Sequence, residues 1–204
     1  MISKCLFPAA GFGTRFLPAT KAVPKEMLPI INKPILQYGV EEALSAGITN
    51  IAIVTGRGKR SIEDHFDNAI ELESQLKETS KEHYITEIQS IIEKATFTYV
   101  RQKKMLGLGH AILTGESLIG DNPFAVILAD DLCINSDDSV LTQMLKVFNK
   151  YKCSVVAIEE VPKEDTNKYG IISGHLINGS NDTFRVNDMI EKPDPKNAPS
   201  NMAI

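Results

Sequence analysis

The residues best suited to chemistry lie near the start of the chain, where Gly11-Phe12-Gly13 closes a short apolar run and three cations, Arg15, Lys21 and Lys25, follow. Glycine lets backbone N–H groups approach an anion closely, and spaced cations neutralise a chain of phosphates, so the segment reads as a polyphosphate cradle. Two familiar phosphate loops do not fit. The dinucleotide fingerprint wants Gly where Phe16 stands, and no G-x-x-x-x-G-K-[ST] run occurs. Taken alone, the two glycines suit a tight turn as well as a cradle; the cations favour the cradle. Further along, Asp130-Asp131 ends the apolar run Phe124 to Ala129. A carboxylate at the carboxyl end of a strand could hold a divalent metal or cap a turn, and the pair by itself leaves both readings open. His65, His83, His110 and His175 show no ligand spacing with one another or with the cysteines, so no zinc site is expected.

Such residues need a scaffold that brings strand ends to one edge. Lys4 to Ala10 reads as a short buried strand, Pro34 to Ala46 as a helix with Pro near its start and Gly47 at its end, and Ile51 to Val54 as an apolar, β-branched strand covered on both faces. Ser61 opens a helix whose apolar positions Ile62, Phe66, Ala69, Ile70 and Leu72 recur at helical spacing. The charge-rich stretch from Glu71 to Lys94 is expected to be helical throughout, with a solvated face rather than a binding one. Then follow strand Thr96 to Arg101, helix Gly109 to Ile119, strand Phe124 to Ala129, amphipathic helix Val140 to Tyr151 and strand Cys153 to Ile158. That alternation predicts an α/β fold, a mainly parallel sheet flanked by helices and linked by right-handed crossovers. After Tyr169 the rhythm changes. Short strands at Ile171-Ile172, Thr183 to Val186 and Met189 to Glu191, separated by Gly, Asn and Asp, predict a small added antiparallel layer toward the C-terminus.

Bulk properties bound the function. A chain of 204 residues suits one domain with a buried core, and 43% hydrophobic with 24% charged residues marks an ordinary globular composition. The net charge of -4 offers no basic surplus for a polyanion, so no nucleic-acid partner is expected. Cys5, Cys133 and Cys153 are odd in number, far apart and set in apolar runs, which argues against a disulfide framework or a thiolate cage and for a reduced cytoplasm. The start lacks the apolar core of a signal peptide, and no run reaches the ~20 residues a membrane helix needs, so no membrane partner is expected.

The run G-x-G-T-R-x-L-P-x-T-K-x-x-P-K-E-M-L, from Gly11 to Leu28, closely resembles the signature of bacterial UTP:glucose-1-phosphate uridylyltransferases, within the sugar-phosphate nucleotidyltransferases. The resemblance continues through Val100-Arg101-Gln102, Gly107-Leu108-Gly109-His110-Ala111, Ile127 to Asp131, Tyr169-Gly170, Glu191-Lys192-Pro193 and Ala198 to Asn201, in the family's order. It implies a Rossmann-like fold of the nucleotide-diphospho-sugar transferase type, acting on UTP and glucose 1-phosphate, with Mg²⁺ as cofactor. Arg15, Lys25 and Lys192 would be the catalytic cations. Ala10, Gly11, Gly13, Glu26, Gln102 and Gly107 would bind nucleotide, with Gln102 and Gly107 reading uracil. Gly170, Glu191 and Lys192 would bind the sugar phosphate, and Asp130, ahead of Asp131, the metal. The resemblance also implies a homo-oligomer in the full-length form. The whole chain, 1–204, is read as one nucleotidyltransferase domain that stops short at its C-terminus. Two alternatives stay open: a related transferase using another nucleotide or sugar 1-phosphate, such as dTTP, and a nucleotide-binding fragment without turnover.

Overall fold

Lys4–Ala9 forms strand β1, with Cys5, Leu6 and Phe7 fully buried, because an apolar run of this kind is stable only when covered on both faces. In this computed structural model, which describes residues 2–77, 79–133 and 137–204, β1 is followed by three 3₁₀ turns and a small hairpin of β2 (Pro29–Ile30) and β3 (Lys33–Pro34). Helix α1 (Ile35–Ser45) buries Leu36, Val40 and Ala43 at the expected spacing. Strand β4 (Asn50–Thr55) runs parallel to β1 along its whole length, and Ile51 to Val54 are buried.

The predicted helix from Ser61 is broken. Helix α2 (Arg60–His65) ends before Phe66, whose ring stacks on Phe97, and α3 (Ile70–Leu76) starts anew. The Asp67 carboxylate accepts the N–H of Asn68, and that of Glu73 accepts the N–H of Ala69, local bonds that compete with continuing the helix. Ile70 and Leu72, expected to face the core, are exposed. Nor is the stretch to Lys94 one helix: Lys77 is extended, Thr79 bonds back to Leu76 through its hydroxyl, and α4 (His83–Lys94) follows.

Strand β5 (Thr96–Arg101) pairs with β4, and Gly115 divides the next predicted helix into α5 (Leu108–Thr114) and α6 (Glu116–Ile119). A Cβ at Gly115 would stand 2.6 Å from Leu6 Cδ1, so glycine is what lets α5 and α6 lie on β1. Strand β6 (Ala125–Val126) pairs with the free side of β1 and is shorter than the predicted Phe124 to Ala129. One more bond, from the Ile127 N–H to the Leu6 carbonyl, extends the contact. The resulting parallel sheet has the order β5-β4-β1-β6. These residues belong to a compact unit spanning Met1–Thr142.

Helix α7 (Val140–Tyr151) has the predicted limits, and its Leu141 N–H is received by Glu42 Oε1 of α1. A second compact unit, Gln143–Ile204, carries the antiparallel layer: β7 (Glu159–Glu160), β8 (Gly170–Leu176), β9 (Phe184–Glu191) and β10 (Met202–Ala203) in the order β7-β10-β8-β9. The strand predicted over Cys153 to Ile158 is not assigned as one; the chain joins a ladder only at Glu159. The two short strands predicted around Asn187 are one strand with a bulge, for Ser173 pairs with Asp188 while Gly174 pairs with Val186. Cys5 is buried as expected, whereas Cys133 and Cys153 are exposed, and none is in a disulfide. No helix among the described residues is long and apolar enough to cross a membrane.

The Gly115–Leu6 approach is testable. Gly115→Ala is expected to lower stability by about 1–3 kcal/mol in chemical denaturation, and by less in a Leu6→Val background; equal losses in both would contradict the contact.

Candidate functional site

The strand order reverses beside β1. From β1 the chain moves outward to β4 and β5, then returns to the opposite side of β1 as β6, so the carboxyl ends of β1 and β6 flank a topological switch point. Register makes the edge common: Ala9 pairs with Thr55, and Thr55 with Arg101. Ala10, Gly56 and Gln102 therefore leave the sheet side by side, and β6 delivers Asp130 to the same edge.

The loop after Ala10 is folded back on itself. Gly13 has a φ of 67°, its carbonyl accepts the Thr20 hydroxyl at 2.7 Å and the Phe16 N–H at 3.0 Å, and a Cβ there would crowd Lys25 Cβ at 3.1 Å. A glycine overlooked in the sequence supports this loop from β4: a Cβ on Gly56 would stand 2.7 Å from the Ala10 carbonyl oxygen. Nothing local marked Gly56, since its role is a contact with Ala10, far earlier in the chain.

Charges alternate beneath the loop. Lys25 Nζ lies 2.6 Å from Asp130 Oδ2, both side chains partly exposed. The next residue, Glu26, is fully buried, and its two carboxylate oxygens accept Lys59 Nζ at 2.8 and 2.6 Å. Burial pulls the Lys59 ammonium below the ordinary lysine range; Glu26 opposes that shift, Lys25 adds to it, and Asp130 opposes it. Sequence reading missed Lys59, which looks like one cation of an exposed Gly-Lys-Arg loop. Glu26, a nucleotide candidate in the sequence, has its carboxylate engaged by Lys59. Arg15 and Lys21 are exposed and make no ion pair among the described residues. The Asp131 N–H donates to the Leu128 carbonyl, closing the turn that presents Asp130.

At the end of β5, Gln102 is 4% exposed, and its Nε2 faces the Gly107 carbonyl at 3.3 Å and His110 Nδ1 at 2.8 Å. Gly107 has a φ of 90° and opens α5. In the second unit, Gly170 and Glu191 are cross-strand partners, and a Cβ on Gly170 would stand 3.4 Å from Glu191 Oε2. Lys192 follows with a φ of 47°, its N–H donating to the Tyr169 carbonyl and its Nζ lying 2.7 Å from Glu191 Oε1. The sequence candidates thus fall into two groups. Ala10, Gly11, Gly13, Arg15, Lys25, Glu26, Gln102, Gly107 and Asp130 belong to the first unit, and Gly170, Glu191 and Lys192 to the second.

A profile described as nucleotidyl transferase matches residues 6–204 of the chain. The chain belongs to the nucleotidyl transferase family. A UTP–glucose-1-phosphate uridylyltransferase of Pseudomonas aeruginosa is 65% identical over 205 residues, covering 100% of this chain and 73% of that protein. A solved structure of apo UDP-glucose pyrophosphorylase, 60% identical, superposes with a TM-score of 0.95 over 100% of this chain and 74% of that one. Another, of UDP-glucose pyrophosphorylase complexed with UDP-glucose, is 58% identical with a TM-score of 0.88 and the same coverage.

Nucleotidyl transfer generally draws on a divalent metal ion. No cluster of three or more His, Cys, Asp or Glu that could hold one occurs among the described residues of this nucleotidyl transferase. A half-exposed carboxylate that already receives a cation, as Asp130 receives Lys25, suits a metal held by one or two protein oxygens and by substrate phosphates.

Removing one member of the buried pair leaves an uncompensated charge. Lys59→Met is expected to lower stability by about 3–5 kcal/mol, and Glu26→Leu with Lys59→Met together by far less, as read from denaturation midpoints. Equal losses for the single and double variants would show that the pair does not act as a unit. Gly56→Ala, which forces a methyl against the Ala10 carbonyl, is expected to weaken UTP binding at least as much as stability, and unchanged affinity in calorimetry would contradict the supporting role.

Proposed function

We propose that this nucleotidyl transferase moves UMP from UTP to α-D-glucose 1-phosphate, giving UDP-glucose and pyrophosphate. The observation that best supports the reading is the Lys25–Asp130 contact at the switch point, under a glycine-bearing loop that also carries Arg15. Identity of 65% with a uridylyltransferase across the whole chain supports the choice of nucleotide and sugar.

The attacking phosphate has a second pKa near ~6 and is largely dianionic at neutral pH, so the step needs no protein base. What it needs is alignment of two mutually repelling anions and cations for the departing pyrophosphate. Arg15 and Lys25 hold the triphosphate, while backbone groups of Ala10, Gly11 and Gly13 approach the nucleotide. Gln102 and Gly107 read the base. Glu26, clamped by Lys59, fixes the turn that carries Lys25. Lys192 binds the phosphate of glucose 1-phosphate, Glu191 accepts hydrogen bonds from glucose hydroxyls, and Gly170 leaves room for the sugar. A magnesium ion, for which Asp130 is the protein ligand, supplies neutralisation of phosphate charge when bound.

The α-phosphorus is attacked by a phosphate oxygen of glucose 1-phosphate. That P–O bond forms as the bond to the bridging oxygen of the pyrophosphate group breaks, and the electron pair leaves with pyrophosphate.

Pyrophosphate release with UTP, glucose 1-phosphate and Mg²⁺, compared with dTTP in place of UTP, tests the reading. Turnover should favour UTP. Lys25→Ala and Lys192→Ala should each reduce it by about 10²–10³-fold with unchanged denaturation midpoints. Near-normal release from either variant rejects its role, and faster release from dTTP moves the assignment to a thymidylyl transferase.

A further inference from the structure

The orientation of the Gln102 amide carries information that the family likeness does not assign. A backbone carbonyl oxygen can only accept, so the amide atom facing the Gly107 carbonyl is the NH₂ group. Its second N–H then points at His110 Nδ1, 2.8 Å away, and that contact is a hydrogen bond only when Nδ1 bears a lone pair and the ring proton sits on Nε2. Both donors of the amide are thereby engaged. Gln102 Oε1 has no partner among the described residues. Since no buried side-chain polar atom there lacks one, Oε1 is not fully buried, and solvent or a ligand can reach it.

We propose that His110 is a positioning residue that locks the Gln102 amide with its carbonyl oxygen outward, so that the site accepts a pyrimidine carrying a proton on N3 and rejects one whose N3 is a bare acceptor. Uracil and thymine donate from N3; cytosine does not. To receive cytosine the amide must turn over, which sets Oε1 against the Gly107 carbonyl oxygen and obliges the His110 ring proton to move from Nε2 to Nδ1, replacing one hydrogen bond by a repulsion and adding the cost of the tautomer change. Gly107 opposes that flip through its carbonyl, and His110 adds the nearer of the two contacts. Its position is held in turn by α5, where Thr114 Oγ1 donates to the His110 carbonyl at 2.7 Å.

This inference rests on the reading of Gln102 as the residue that meets the base. It is tested by measuring Kd and kcat/KM for UTP and CTP with the protein, with His110→Leu, which cannot accept a hydrogen bond, and with His110→Gln, whose side-chain carbonyl can. The protein should prefer UTP strongly. His110→Leu should lose about tenfold of the UTP-over-CTP ratio, roughly what one hydrogen bond supplies. The loss should appear in Kd and KM, with kcat for saturating UTP within about threefold, because the phosphates are held elsewhere. His110→Gln should recover most of the ratio. An unchanged ratio in His110→Leu, or a wild-type protein indifferent to UTP and CTP, overturns the inference while leaving nucleotidyl transfer intact. Failure of the wild-type protein to bind UTP at all overturns the proposed function and this inference with it. If His110→Leu does not fold, His110→Gln alone decides: a ratio far below wild type with a normal midpoint contradicts the acceptor role.

Discussion

Lys25 and Asp130 are separated by more than a hundred residues, and their charges meet because β1 and β6 run parallel and end at one edge. In a parallel sheet every strand delivers its next residue to the same side, and at a switch point the loops on either side diverge, leaving a crevice that no helix fills. A loop cation and a strand-end carboxylate facing each other there are only partly desolvated. Such a pair contributes little to stability, and in the proposed reaction it would exchange for stronger partners, a triphosphate for the ammonium and a metal ion for the carboxylate. The neighbouring Glu26–Lys59 pair is the opposite case. Buried on both sides, it is a fixed strut, and because Glu26 directly follows Lys25, the strut determines where the exchangeable cation stands.

The second unit presents its charges differently. Lys192 occupies a left-handed backbone conformation that a lysine seldom adopts, at a strain of order 1–3 kcal/mol. The hydrogen bond from its N–H to the Tyr169 carbonyl holds it there, and the side chain turns back to exposed Glu191. An exposed Glu-Lys neighbour pair has almost no stabilising value of its own.

Much of this was legible in the sequence. The apolar runs Lys4 to Ala10 and Ile51 to Val54 announce strands β1 and β4 because parallel strands covered on both faces must be largely apolar, and α1 and α7 announce themselves because their apolar positions recur at helical spacing. What failed did so for local reasons or for distant ones. Asp67 and Glu73 break a helix by taking backbone N–H groups, which periodicity does not register. The bulge at Asn187 made one strand look like two. Gly56 and Lys59 carry no signature because their importance lies in contacts with Ala10 and Glu26, which only the folded register brings near. The cations of the first loop were visible as types and spacing, while the partner that Lys25 finds in Asp130 was not.

The proposed exchange of Lys25 from Asp130 to the triphosphate is tested most directly by a crystal structure of the protein with UTP and Mg²⁺. The expected result has Lys25 Nζ released from Asp130 and within hydrogen-bonding distance of triphosphate oxygens, with the metal on Asp130 and the Glu26–Lys59 pair unmoved. A structure in which Lys25 stays on Asp130 while the triphosphate lies against other residues would contradict it.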